Sequence, residues 1–132
     1  MRVLIDECLP RQLKGLLAGA DETATVPDSG WAGLQNGVLL RQADARFDVL
    51  VTADQAIYHQ QSFAGLRIAI IVLPTNRLRD VIDAVPALLQ SLERIERGQH
   101  VIMDLGPRTE RWTHVRLQSI VDDAGVLRHL FR

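Results

Sequence analysis

Lysine is almost missing from this chain: of its 15 basic residues, only Lys14 is not arginine. Coding bias accounts for such a skew, and so does use of arginine for bidentate phosphate contacts. Cysteine is as scarce. With Cys8 alone in 132 residues no internal disulfide can form, which gives the expectation of a reducing, cytoplasmic setting. Long apolar runs are lacking too. No segment approaches the ~18 apolar residues of a membrane helix, so no membrane contact is expected. The first apolar run is only a strand long and ends in Asp6-Glu7, unlike a secretory leader. Net charge is −1, so the molecule as a whole does not attract nucleic acid, and any RNA or DNA site must be a local patch. One cysteine and scattered histidines give no zinc-ligand spacing. A phosphate-cradling glycine loop and a serine elbow are both missing.

What is present is an alternation of strand and helix. Residues 2–5 read as a buried strand, and Pro10 opens a helix whose stripe is Leu9, Leu13, Leu16 and Leu17. Gly19 closes that helix, and residues 22–27 make a weaker second strand. Asn36 is the expected N-cap of a short helix with Leu39, Leu40 and Ala43 inward. Strands are expected at residues 47–52 and 68–73, with a short helix over 54–62 between them. Asn76 is the expected cap of the longest helix, which buries Leu78, Val81, Val85, Leu88, Leu92 and Ile95. Pro86 should kink or break it. A fifth strand follows at residues 100–105. That order predicts an α/β fold with a mostly parallel sheet. After Gly106-Pro107 the pattern changes to two strands around Asp122-Asp123-Ala124-Gly125, a C-terminal β-hairpin. Its apolar residues should pack on the body or on a second subunit, which makes a homodimer the expected assembly.

Acids stand where two of the strands end. Asp6 and Glu7 follow Val3-Leu4-Ile5, and Asp54 follows Val49-Leu50-Val51-Thr52. Ligands of open α/β sheets gather outside the carboxyl ends of the strands. If the two strands are neighbours, carboxylates about 5 Å apart repel by roughly 3 kcal/mol at an effective dielectric near 20. A divalent cation, a shared proton or a basic partner resolves such a pair. Asp28, at the end of strand two, is a candidate third metal ligand or a turn residue. The Gly30-Trp31-Ala32-Gly33 loop either presents Trp31 for base stacking or folds it over the helices. His59, Gln60 and Gln61 follow Asp54 closely and are candidate substrate contacts, as is Asn36.

Taken together, Val3-Leu4-Ile5-Asp6-Glu7-Cys8-Leu9-Pro10, Gly30-Trp31-Ala32-Gly33-Leu34-Gln35-Asn36-Gly37 and Val49-Leu50-Val51-Thr52-Ala53-Asp54 resemble a family of small bacterial PIN-like proteins. Gln60-Gln61 and Val72-Leu73-Pro74 belong to the same resemblance, which covers residues 1 to about 103. It implies a three-layer α/β/α PIN-like sandwich over residues 1–103, with residues 104–132 as the hairpin extension. It also implies a metal-dependent nuclease fold often used by the toxins of toxin–antitoxin pairs. Asp6 and Asp54 match two of the family's acids, with Glu7 and Asp28 as assistants. Where PIN nucleases add acids on an intervening helix, this chain has Asn36 and Gly37, and many relatives carry an acid or asparagine where Ala56 stands.

Two functions from different classes follow. The first is an endoribonuclease, toxin-like, with RNA as substrate, an antitoxin protein as partner, and Mg²⁺ or Mn²⁺ held by Asp6, Asp54 and Asp28. Asp6, Asp54 and Glu7 are then its catalytic residues. The second is a catalytically inactive PIN-like protein that binds nucleic acid or a protein partner. A phosphoacceptor receiver domain also has acids after strands one and three, but it needs a lysine near the end of strand five, and Lys14 is on helix one.

Overall fold

The computed structural model describes residues 1–57 and 65–104, together with the backbone of residues 117–121 and 127–131. Five strands, β1 (Arg2–Ile5), β2 (Glu22–Thr25), β3 (Val49–Thr52), β4 (Ala69–Val72) and β5 (His100–Asp104), lie parallel in the order β2-β1-β3-β4-β5. The protein is therefore an α/β fold. Beyond β5 the backbone of β7 (Leu127–Phe131) pairs in parallel with it, and β6 (Leu117–Val121) pairs antiparallel with β7. The expected turn at 122–125 lies outside the described residues.

Strand alternation sorts the core into two halves. Val3, Ile5, Val49, Val51, Ala69, Ile71, Val101 and Met103 face one side. There they meet the long helix α2 (Leu78–Arg94) and the segment carrying Leu9, Leu13 and Leu17. Leu4, Leu50, Ile70, Val72 and Ile102 face the other side, under α1 (Asn36–Asp44) and Phe47. Neither face of the central strands β3 and β4 meets water, which is why they run Val-Leu-Val-Thr and Ala-Ile-Ile-Val instead of alternating with polar residues. Full burial of each such side chain stabilises by roughly 1.5–3 kcal/mol.

Several local expectations change. The segment after Pro10 is a 3₁₀ helix, Arg11–Leu16, not an α-helix. Gly15 sits inside it and Leu16 stays exposed, so the buried stripe is Leu9, Leu13 and Leu17 alone. α2 begins after Arg77, not Asn76, and runs unbroken through Pro86. Pro86 is exposed, and the carbonyl its ring leaves unpaired belongs to the exposed Ile82, so water can satisfy it. Leu78 is also exposed, because the buried face of α2 is carried by Val81, Ala84, Ala87, Leu88, Ser91 and Leu92.

The amino ends of the strands are tied by carboxylates. Asp44, at the end of α1, accepts the N–H groups of Arg67 and Ile68, both at 2.8 Å. Asp48 accepts the Arg2 N–H at 2.7 Å and the Arg97 guanidinium at 2.9 Å. The Arg2 N–H, and then the charges of Arg2 and Arg97, hold the Asp48 carboxyl below its ordinary pKa against the opposing effect of burial. A depressed carboxylate stabilises the fold above its unfolded pKa of about 3.9, and that stability is lost as pH falls through the lower folded value. Denaturant titrations should show Asp48→Asn less stable than wild type at pH 7, with the gap closing below about pH 4.

Candidate functional site

Chain order reverses between β1 and β3, the kind of switch point outside whose strand ends the ligands of open α/β sheets gather. Asp6 comes directly after β1, and its N–H still joins the ladder through the Val51 carbonyl at 2.9 Å. Its side chain is 7% exposed, too buried for water alone to carry the charge. Oδ1 accepts the Glu7 N–H at 2.8 Å, and Oδ2 accepts the Thr52 hydroxyl at 2.6 Å. The second distance is short, as expected for a hydroxyl donating to a carboxylate. Thr52 Oγ1 in turn accepts the Asp54 N–H at 3.1 Å. One hydroxyl thus joins the two acid-bearing segments.

Asp54 is half-buried and fully engaged. Oδ1 accepts the Ala56 N–H at 3.0 Å, closing a local turn, and Oδ2 accepts the Asn36 amide at 3.1 Å. Next to it, the Gln55 amide donates to the Leu73 carbonyl at 2.9 Å and pins this loop to the end of β4. Asn36 is therefore not a cap. Gln35 takes the N-cap position of α1 and makes no side-chain cap hydrogen bond, while the Asn36 amide donates to Asp54.

Glu7 is exposed and accepts the Gly33 N–H at 3.2 and 3.3 Å through its two oxygens. Gly33 has φ +78°, a conformation that costs other L-residues about 1–2 kcal/mol, and this lets the loop turn its N–H toward Glu7. Trp31, in the same loop, packs edge-on against Phe47 with ring centroids 6.0 Å apart, and the Arg46 guanidinium lies 5.6 Å from its ring. It is half-buried and packs over the α1 face of the body.

The structure brings Asp6, Glu7, Asn36 and Asp54 together and leaves Asp28 apart. Asp28 is exposed and pairs with Lys14 at 3.7 Å. Among the described residues no three His, Cys, Asp or Glu side chains gather as a metal-holding group. His59, Gln60 and Gln61 lie outside the described residues.

Cys8 and Thr52 join the site without having been singled out as part of it. Cys8 Sγ lies 3.7 Å from Asp6 Oδ2 and 3.6 Å from Thr52 Oγ1, and it accepts the Ala53 N–H at 3.4 Å. Burial pushes the thiol pKa up, with the Asp6 charge adding to it, while the Ala53 N–H and the Thr52 hydroxyl oppose the shift. Cys8 is thus held as a neutral thiol, the reverse of an activated nucleophile. Thr52 carries a readable signal: it is a polar residue ending an aliphatic strand, two positions before an acid.

Compared with known proteins, the chain matches no family model, no curated protein and no solved structure. No helix among the described residues is long and apolar enough to cross a membrane.

Thr52→Val keeps the shape and removes the hydroxyl, leaving Asp6 buried with one donor fewer. A loss of about 1–3 kcal/mol is expected from urea unfolding midpoints, and Thr52→Ser should recover most of it. Equal midpoints for Val and wild type would show that the bridge contributes nothing.

Proposed function

We propose that the protein is a PIN-like endoribonuclease with a toxin-like role: a three-layer α/β/α sandwich extended by a C-terminal hairpin, using Asp6 and Asp54 as its site acids. The observation that carries this reading is the Thr52 hydroxyl. It is bonded to the Asp6 carboxylate and to the Asp54 backbone, which supports the reading by linking the two acid-bearing segments at the switch point of a parallel sheet. Structural capping alone does not require such a link.

The residues fit one hard cation and not a two-metal pair. Mg²⁺ and Mn²⁺ sites take one or two carboxylates and keep several waters. Asp6 and Asp54 supply two carboxylates, each oxygen having a second lone pair beyond most of its present bonds. Bound there, the ion would lower the pKa of water and stabilise charge on a phosphodiester. The chain's own residues supply the rest. Thr52 fixes the Asp6 carboxylate, Asn36 orients Asp54, and Glu7 holds the 30–33 loop beside the crevice. Glu7 is the exposed carboxylate of the set and the one suited to accept a proton from an attacking water.

A second reading is favoured by a specific contact. The Asn36 amide donates to Asp54 where the PIN-like resemblance places acids, and Asp28 turns away to Lys14. In that reading the chain keeps the fold and binds RNA or a protein partner without cleaving it.

Incubation of purified protein with single-stranded RNA separates the two. The nuclease reading expects cleavage with Mn²⁺, none in EDTA, and at least a ~100-fold loss in Asp54→Asn. Calorimetry should also show Mn²⁺ heats that Asp54→Asn weakens. Metal-independent RNA retention with no cleavage under any condition would select the binding reading.

A further inference from the structure

Beside the acid crevice lies a second concavity, a cleft of about 570 Å³ lined by Arg11, Gln12, Lys14, Thr25, Pro27 and Asp28. That is the size of a small-molecule site. Its position follows from the register. Thr25 is the β2 partner of Ile5, the residue before Asp6, and the Val26 N–H donates to the Ile5 carbonyl at 2.8 Å. The other wall is the 3₁₀ helix, which starts close to Asp6 because the Leu9 N–H turns back to the Asp6 carbonyl at 3.1 Å. Neighbouring strands are ~4.8 Å apart, so the cleft opens one strand over from Asp6, on the same edge of the sheet.

Its charge differs in sign from that of the molecule. The chain carries −1, whereas this cleft has two cations, Arg11 and Lys14, against one carboxylate, Asp28. Arg11 is exposed and has no ion pair within 4.0 Å among the described residues. Lys14 is paired with Asp28 at 3.7 Å, but the two side chains are 48% and 66% exposed, so solvent screens the pair and an arriving anion can displace it. Two uncharged donors complete the lining. Gln12 brings a side-chain amide. Thr25 Oγ1 accepts the Asp28 N–H at 3.1 Å, which leaves its hydroxyl proton to donate.

We infer that this cleft is a phosphate subsite for single-stranded RNA, in which Arg11 and Lys14 hold the backbone of a strand whose neighbouring phosphodiester lies at Asp6 and Asp54. The inference rests on the RNA-directed reading of the acid crevice and adds residues that reading does not use. Arg11 takes a phosphate through its planar fork, and Lys14 takes one as a point charge after leaving Asp28. Asp28 is then a counter-ion that keeps Lys14 in place while the cleft is empty, and not a ligand of the cation. This gives the site a sign that a metal-ligand role does not share: removing the Asp28 charge strengthens binding.

The test is fluorescence anisotropy of the purified full chain with a short fluorescein-labelled oligouridylate, in EDTA, across a salt series. The Arg11→Gln/Lys14→Gln double variant should bind about 10-fold more weakly, with a log–log salt slope smaller by about 1.4, for two phosphates at ~0.7 each. Asp28→Asn should bind as tightly as wild type or several-fold tighter. Arg11, Lys14 and Asp28 are exposed, so folding should survive, and circular dichroism checks it. Wild-type affinity and slope in the double variant would overturn the inference, as would an absence of RNA binding by wild type or weaker binding by Asp28→Asn. The nuclease reading is judged separately: if Mn²⁺ brings no cleavage but these affinity differences hold, that reading fails and the subsite stands.

Discussion

Thr52 is fully buried at the last position of a parallel strand, and the arrangement of the site depends on its hydroxyl. It donates to Asp6 at the end of β1 and accepts from the backbone ahead of Asp54. Without it a carboxylate 93% shielded from water would rest on the Glu7 N–H and a weak thiol donor. Burying a charge is tolerated only when hydrogen bonds replace the lost water, so this bond and the pairing of β1 with β3 support each other. The strands set the hydroxyl opposite the acid, and the hydroxyl makes the acid's position bearable.

The two ends of the sheet solve different problems with the same residue type. At the amino ends, Asp44 and Asp48 accept backbone N–H groups and arginine, and their role is to tie strands together. At the carboxyl ends, Asp6 and Asp54 accept donors from Thr52, Glu7, Ala56 and Asn36, with no arginine or lysine paired to either among the described residues. Acids balanced by dipoles and not by cations keep their negative charge available to a metal ion or to a polarised ligand. Of the four acids only Asp48 is paired to arginine; Asp44, like Asp6 and Asp54, is paired to no cation among the described residues. The cations near the crevice, Arg11 and Lys14, stand one strand aside, where they can meet an anion without neutralising the acids.

Much of this was readable from residues alone. The aliphatic runs at Val3-Leu4-Ile5, Val49-Leu50-Val51 and Ala69-Ile70-Ile71-Val72 could only be strands covered on both faces, and the alternation with helices required a parallel sheet. The inward positions Leu39, Leu40 and Ala43 of α1 follow from a 3.6-residue period. The helix starts were less legible. Asn36 and Asn76 have the chemistry of caps, but the N-cap position falls one residue away from each, at Gln35 and Arg77. Pro86 signals a break only when its freed carbonyl would be buried, and burial is not written in the local sequence. Leu16 belongs to the leucine stripe by spacing, yet a 3₁₀ turn rotates it outward.

The sequence by itself determined which residues carry charge, which runs must be buried, and that acids follow the first and third strands. Those properties are local: they depend on side-chain chemistry and on periods of two and 3.6 residues. The tertiary structure alone decided which acid-bearing segments are linked. Asp28 and Asp54 look alike as acids placed just past strand ends. Asp28 follows β2, at the edge of the sheet, and meets Lys14, whereas Asp54 follows β3, next to β1, and meets Thr52 and Asn36. Strand order is a long-range property, set by how both faces of the sheet are covered at once, and no window of sequence contains it.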